Sequence, residues 1–311
     1  MSSLQFLEKV EHPCRLRKEM AIHTRNSVLT PLRKTFNDYL MDSVAALGEK
    51  SPLRDACEYA LVNGGKRIRP LIVLVLADAV GHQLDVLPAA VSIEYLHTAS
   101  LIVDDLPCMD NDDWRRGLPS VHKKCGEAVA LLASYALISA GYEQIVQGVQ
   151  TLCQNHIPYY HRSGEVYTMT FTQAAYSTGL SGATGGQFLD LFPGAGDLEK
   201  VYQIIHQKTV SIFETAFVFG WVFGGGPLEQ IEKVTKAAGH FGMAFQIADD
   251  LSDIEQDGEM GTTLVRYLGE KKTKEILSEE IAQFTAIMEK MGLFHPGFQE
   301  ILDEMTKNLA P

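Results

Sequence analysis

The sequence predicts an all-α chain, a single large helical bundle, and three observations predict it. Apolar residues recur mostly at helical spacing, punctuated by Gly64-Gly65, Pro88, Gly117 and Pro119, Gly185-Gly186, and Gly224 to Pro227. Hairpin signals are nearly absent. No internal repeat, low-complexity tract or linker rich in Ser, Pro and Gly interrupts the 311 residues. One continuous domain over residues 27–311 is therefore preferred to two, with 1–26 as a peripheral segment.

Taken in order, the run 71–76 is β-branched enough for a strand, but it stands alone and continues into Ala77 and Ala79, which makes it a buried helix. Residues 88–112 carry apolar groups almost all round, at Val91, Ile93, Leu96, Leu101, Ile102 and Val103, the pattern of a helix inside a bundle. The segment 209–223 repeats that pattern, and 128–142 forms an uncharged helix. The most apolar stretches, 71–80 and 128–142, fall short of the roughly 20 residues a transmembrane helix needs, so no membrane span is expected.

With 27 Lys and Arg against 39 Asp and Glu, the chain carries a formal charge of −12. It repels polyanions, which argues against a nucleic-acid partner. A content of 46% hydrophobic and 21% charged residues is globular rather than disordered. Cys14, Cys57, Cys108, Cys125 and Cys153 contain no C-x-x-C pair. That argues against both a zinc ribbon and a disulfide framework and suits a reducing cytoplasm. Glu8 and Glu11, with no apolar core beside them, speak against a secretory signal.

Two acidic clusters and three basic groups can carry chemistry. Asp104-Asp105-Leu106-Pro107-Cys108-Met109-Asp110 runs into Asn111-Asp112-Asp113-Trp114-Arg115-Arg116-Gly117. On a regular helix Asp104 and Asp110 diverge, but Pro107 lacks a donor and distorts the backbone between them, bringing both acids to one mouth. The bland alternative is a solvated acidic helix end, which the apolar residues 101–103 just upstream weaken. The second cluster is Asp249-Asp250-Leu251-Ser252-Asp253, with Asp249 and Asp253 one helical turn apart. Like charges at that spacing destabilise a bare helix, and a divalent cation reverses the effect. Hard oxygen ligands with room for water suit Mg²⁺ bound together with substrate phosphates. Two such clusters, each ending an apolar helix, can clamp a diphosphate through bridging metals.

Facing these acids are Gly64-Gly65-Lys66-Arg67-Ile68-Arg69-Pro70, the pair Arg115-Arg116, and Lys208-Thr209. The double glycine lets a phosphate approach the backbone, and Lys66 and Arg69 can grip one anion without a metal. Neither a Walker loop nor a dinucleotide loop fits, because Arg67 follows Lys66 and Gly194-Ala195-Gly196 runs on to Glu199. A loop capped by salt bridges remains the structural alternative. His156, His206 and His240 show no ligand spacing.

The order GGKRIRP, DDLPCMDNDDWRRG, GGQFLDL at 185–191, Lys208-Thr209 and FQIADDLSD at 245–253 resembles the head-to-tail trans-prenyl diphosphate synthases over roughly residues 28–285. The likeness is greatest to the short-chain farnesyl and geranylgeranyl synthases of bacterial and plastid type. It implies the isoprenoid synthase bundle with a central active-site cavity. It also implies about three Mg²⁺ ions held against an allylic diphosphate by Asp104, Asp110 and Asp249, with Asp105, Asp250 and Asp253 as supporting acids. On this resemblance Arg115 and Lys208 bind the allylic diphosphate, while Lys66, Arg69, His97 and Arg116 bind isopentenyl diphosphate. Gln187, Asp190, Thr209 and Gln246 line the allylic side. A homodimer is implied by the same analogy.

One turn before Asp104 lie Ala99 and Ser100, beside the tail of a growing chain, since a turn rises ~5.4 Å, about one isoprene unit. Family members that stop at C15 tend to carry an aromatic ring there. Two small residues predict geranylgeranyl diphosphate, C20, over farnesyl, C15, with Leu96, Leu132 and Tyr135 as a floor. Alternatively, Ala99 merely permits close helix packing. Two departures stand out. The stretch 254–261 is short and acidic where the family carries lysines, leaving Lys271 or Lys272 to substitute, and Ser134-Tyr135 replaces the usual Gly-Asp. Two other functions compete: a non-catalytic regulatory subunit, for which eroded aspartate motifs are expected, and a terpene cyclase, which has no use for Lys66, Arg69 and Arg116.

Overall fold

The helical spacing of the apolar residues is realised as α-helix along the chain in a computed structural model that describes residues 27–154, 162–194, 197–252, 263–307 and 309. The segment 1–26, with Cys14, lies outside the described residues, as do His156, Ala195 and Gly196, and 253–262. In order come α1 (Leu29–Ala45), α2 (Pro52–Val62), α3 (Ile68–Val80), α4 (Leu87–Asp104), α5 (Val121–Cys125), α6 (Glu127–Gln154), α7 (Ser163–Thr178) and α8 (Ala183–Leu191). Then follow α9 (Leu198–Ile205), a π-helical turn (His206–Val210), α10 (Ser211–Phe223), α11 (Ile231–Ser252), α12 (Leu264–Leu268), α13 (Glu270–Lys290) and α14 (Pro296–Thr306). The starts are chemically marked: Ser51, Asp197 and Thr263 each accept a backbone N–H three residues on, and Pro52 opens α2.

Every residue of α10 is buried, and this helix is the axis against which α3, α4, α7 and α11 pack. The run 71–76 is helical, as expected, inside α3. Helices α4 and α6 approach closely because small residues face each other: Ser92 Oγ donates to the Gly141 carbonyl at 2.8 Å and Ser134 Oγ to the Ala99 carbonyl at 3.0 Å. Phe217, Phe241, Phe284 and Phe298 interlock where α10, α11, α13 and α14 meet.

Three expectations need correction. The helix read across 88–112 stops at Asp104, before Pro107 can clash with its last turn. The all-α fold stands, but where no hairpin signal is read a two-residue antiparallel ribbon pairs β1 (Trp114–Arg115) with β2 (Leu118–Pro119), and its turn residues Arg116 and Gly117 both have positive φ, at 54° and 78°. The apolar helix at 128–142 extends to the 28 residues of α6, long and apolar enough by length and composition alone to cross a membrane. One of its faces is nevertheless buried in the bundle at Ala130, Ala133, Leu137 and Ile145.

Candidate active site

Past Asp104 the chain doubles back. The N–H groups of Met109 and Asn111 both reach the Leu106 carbonyl, at 2.9 and 3.1 Å, and Asp110 N–H bonds the Asp104 carbonyl at 2.9 Å. The first and last acids of the motif are thereby held together, as the Pro107 argument predicts. Burial pushes the Asp104 carboxyl up to about 7; Lys208 opposes the shift and Asp110 adds to it. Asp105 is 2% exposed and turns toward the ribbon, where its Oδ1 accepts from Arg115 Nε at 2.9 Å. Burial raises Asp105 as well, against the pull of Arg115. Arg115 also contacts Asp112 at 3.2 Å, so in this structure its fork is closed on acids of its own segment.

The second acidic wall is the last turn of α11. Gln246 Nε2 donates to Asp250 Oδ1 at 2.8 Å, and its Oε1 accepts from Thr209 Oγ1 at 2.6 Å. One residue back on the π-helical turn, Lys208 Nζ meets Asp190 Oδ2 at 2.6 Å. Burial works against the Lys208 charge, yet Asp190, Asp104 and Asp110 together raise its pKa. Gln187 Nε2 reaches Asp110 Oδ1 at 3.2 Å. The π turn thus ties both walls together, Lys208 toward Asp104 and Asp110 and Thr209 toward Asp250. Such turns are frequent at functional sites. A Cβ at Gly186 would sit 2.4 Å from the Lys208 backbone nitrogen, which explains the small residue there. Asp253 lies outside the described residues.

Asp104 ends α4, and Asp249 and Asp250 fall in the last turn of α11. These carboxylates oppose the negative ends of two helix dipoles, so the site favours added positive charge. The donor set is hard oxygen throughout, as Mg²⁺ prefers. Asp104, Asp110, Asp249 and Asp250 are the residues that fit such an ion, although among the described residues no three acidic, His or Cys groups converge as a ready-made cage.

Beside the acids lies a cation cradle. Arg69 Nη1 donates to His97 Nε2 at 3.2 Å, and the guanidinium stacks 4.3 Å from the Phe213 ring centre. Burial brings Arg69 down to about 10, and its Nε–H has no acceptor among the described residues. Arg116 Nη1 bonds the Gly64 carbonyl at 2.6 Å, with its guanidinium against the open face of Gly65. His97 is held well below its ordinary range, first by burial and then by Arg69, Arg116, Arg67 and Arg115. It is therefore a neutral acceptor amid four like charges. Lys66 is exposed. No sequence signal marked Phe213 as the shelf under Arg69.

Other expected positions separate. Ala99 is buried, with its carbonyl spent on Ser134, and Ser100 is half-buried. Leu96 is buried against Gly141, but Leu132 and Tyr135, read as part of a chain-length floor, are 52% and 57% exposed. They lie on the outer face of α6 and form no floor within this chain. Lys272 pairs with Glu275 at 3.1 Å on α13. His206 and His240 face Glu214 and Glu280 at 3.6 and 2.6 Å.

Acid-tipped α4 and α11 around a wholly buried α10 define the helical isoprenoid synthase class. An isoprenoid synthase family member from Thermotoga neapolitana matches at TM-score 0.72 and 29% identity, over 88% of this chain and 98% of that one. A geranyltransferase from Legionella pneumophila matches at TM-score 0.77 and 26% identity, over 89% and 95%. The chain belongs to the polyprenyl synthetase family, whose model, described as Polyprenyl synthetase, matches residues 50–291. Relatives include geranylgeranyl pyrophosphate synthase 7, chloroplastic, of Arabidopsis thaliana, 36% identical over 78% of this chain and 66% of that protein. Another from the same plant is a heterodimeric geranylgeranyl pyrophosphate synthase large subunit 2, 38% identical over 72% and 58%. The chain thus spans 58% to 66% of the length of these two relatives.

Proposed function

We propose that the chain condenses isopentenyl diphosphate head-to-tail with allylic diphosphates and stops at geranylgeranyl diphosphate, C20. The observation that carries this reading is the pairing of an acid wall with an arginine cradle whose Arg69 Nε–H meets no acceptor among the described residues. A cyclase or an inert subunit has no need of that second anion site. Relatives named as geranylgeranyl pyrophosphate synthases support the product class.

In this mechanism Arg69, Lys66 and Arg116 hold isopentenyl diphosphate, and neutral His97 orients the Arg69 fork. Lys208 sets a fixed cation beside the allylic diphosphate, while Gln187, Thr209 and Gln246 fix the acids by the hydrogen bonds described above. Asp104, Asp110 and Asp249, with Asp250 in support, would hold about three Mg²⁺ ions, which would supply the positive charge that stabilises the leaving diphosphate. Breaking the allylic C–O bond leaves diphosphate and a carbocation. The isopentenyl double bond attacks that cation, and the proton then lost goes to the departed diphosphate. No Ser, Cys or His nucleophile takes part. Phe213 and Phe245, against Arg69, help keep water out.

Purified protein given isopentenyl diphosphate, an allylic starter and Mg²⁺ is expected to yield C20 chains when the products are sized. Free diphosphate without elongation would indicate a cyclase, and no turnover a regulatory subunit. Ala99→Phe is expected to shorten the product to C15, and an unchanged C20 output shows that Ala99 does not limit length. Because Ala99 packs against α6, the same change costs about 1–3 kcal/mol of stability, and thermal unfolding must accompany the assay.

A homodimer is part of the proposal. The outer face of α6 exposes Leu131, Leu132, Tyr135 and Val146, an apolar strip suited to a second copy. A 34.4 kDa particle in light scattering rejects it. The described cysteines, Cys57, Cys108, Cys125 and Cys153, are free thiols and suit the reducing cytoplasm proposed for the chain. Several relatives instead carry the word chloroplastic in their names, and fractionation separates the two.

A further inference from the structure

Arg67 stands in the middle of the cation motif, yet its side chain is buried. Its backbone is left-handed, at φ 57°, following Gly64 and Gly65 at 83° and 112°. A side chain is strained there, so its contacts must hold it. The guanidinium is buried and ion-paired with Glu94, itself 1% exposed. Nη2 donates to the Leu61 carbonyl at 2.5 Å and Nε to Asn37 Oδ1 at 3.3 Å. All three nitrogens are engaged inside the protein, which separates Arg67 from a substrate ligand.

The partners come from α4, from the end of α2 and from α1, so one side chain clamps three helices to the loop 63–67. Lys66 precedes Arg67, and Arg69 follows two residues later on the first turn of α3. Glu94 lies one turn before His97 on α4, so the pair also sets α4, with His97, against Arg69. The Arg116 guanidinium fills the space over Gly65 in the same loop. We propose that the Arg67–Glu94 pair is a positioning device that holds Lys66, Arg69, His97 and Arg116 in register for the non-allylic diphosphate. This rests on the synthase reading above. A buried ion pair contributes little net stability compared with apolar residues of similar volume, whereas a role in register is the better attested one.

That asymmetry supplies the test. The double variant Arg67→Met with Glu94→Leu leaves no unpaired charge and is expected to unfold cooperatively near the wild-type temperature. Its KM for isopentenyl diphosphate is expected to rise about 10- to 100-fold, with the allylic KM within about threefold, because misplacement by ~1 Å is that costly. Calorimetric titration with isopentenyl diphosphate reads the same loss without turnover. Equal rises in both KM values, or unchanged isopentenyl binding, overturn the inference. Should the double variant not fold, Asn37→Ala decides: a selective rise of about threefold supports the inference and no rise overturns it. A wild-type chain that binds no isopentenyl diphosphate overturns the synthase reading and this inference with it, whereas wild-type binding retained in the variant overturns the inference alone.

Discussion

Asp104→Asn is expected to lower turnover by about 10³-fold while making the metal-free protein more stable above pH 7. The two effects share one cause. Burial lifts the Asp104 carboxyl from 3.8 to about 7, so between these values the folded chain holds a proton that the unfolded chain has released. The contribution to stability is complete below about pH 4 and is lost as pH rises through about 7. Asparagine is neutral throughout and escapes that loss. After allowance for relaxation of the site, the gain at pH 8 is about 2 kcal/mol, or about 4 °C in Tm, and it vanishes near pH 4. Thermal melts of both proteins from pH 4 to 8, without and with Mg²⁺ and inorganic diphosphate, check this. The wild type should gain from the additions and the variant should not. A wild-type Tm that is flat from pH 5 to 8 without metal removes the basis of the prediction.

The same carboxylate illustrates what the sequence could disclose. Asp104 and Asp110 were legible as partners because the cause is local: a proline without a donor must break the helix between them, and the chain folds back through bonds to Leu106 and Asp104. The buried helices were legible from periodicity, and the GGKRIRP loop from its glycines. Periodicity alone did not say which face of α6 turns inward, because Leu132 and Tyr135 are as apolar as the residues that do. The ribbon is not legible in the sequence because its left-handed turn begins with Arg116, where Asn or Gly gives the usual signal. Partners distant in the chain, such as Phe213 under Arg69 and Glu94 beside Arg67, are products of packing and leave no local pattern.

Close packing also makes a single methyl group a strong probe of the acid walls. In Gly186→Ala the new Cβ would lie 2.4 Å from the Lys208 nitrogen, 2.7 Å from its Cα and 2.8 Å from the Gln207 carbonyl carbon. All three are backbone atoms, so no rotamer relieves the overlap, and α8 must shift from the π turn by about 1 Å. Two bonds cross that boundary or depend on it: Lys208 to Asp190, and Gln187 to Asp110. Their joint displacement moves Lys208 from its place beside Asp104 and Asp110. The expected result is a loss of turnover of about 10²-fold with a stability cost of only about 1–3 kcal/mol. Gly164→Ala is the control, since its Cβ enters open space on α7, and its activity should match the wild type. Steady-state rates against Mg²⁺ concentration discriminate between causes. A Gly186→Ala protein that melts lower but turns over normally at saturating Mg²⁺ would show that the α8 contact supports the fold alone. A folded variant with a raised Mg²⁺ requirement would place the damage in the alignment of the acids.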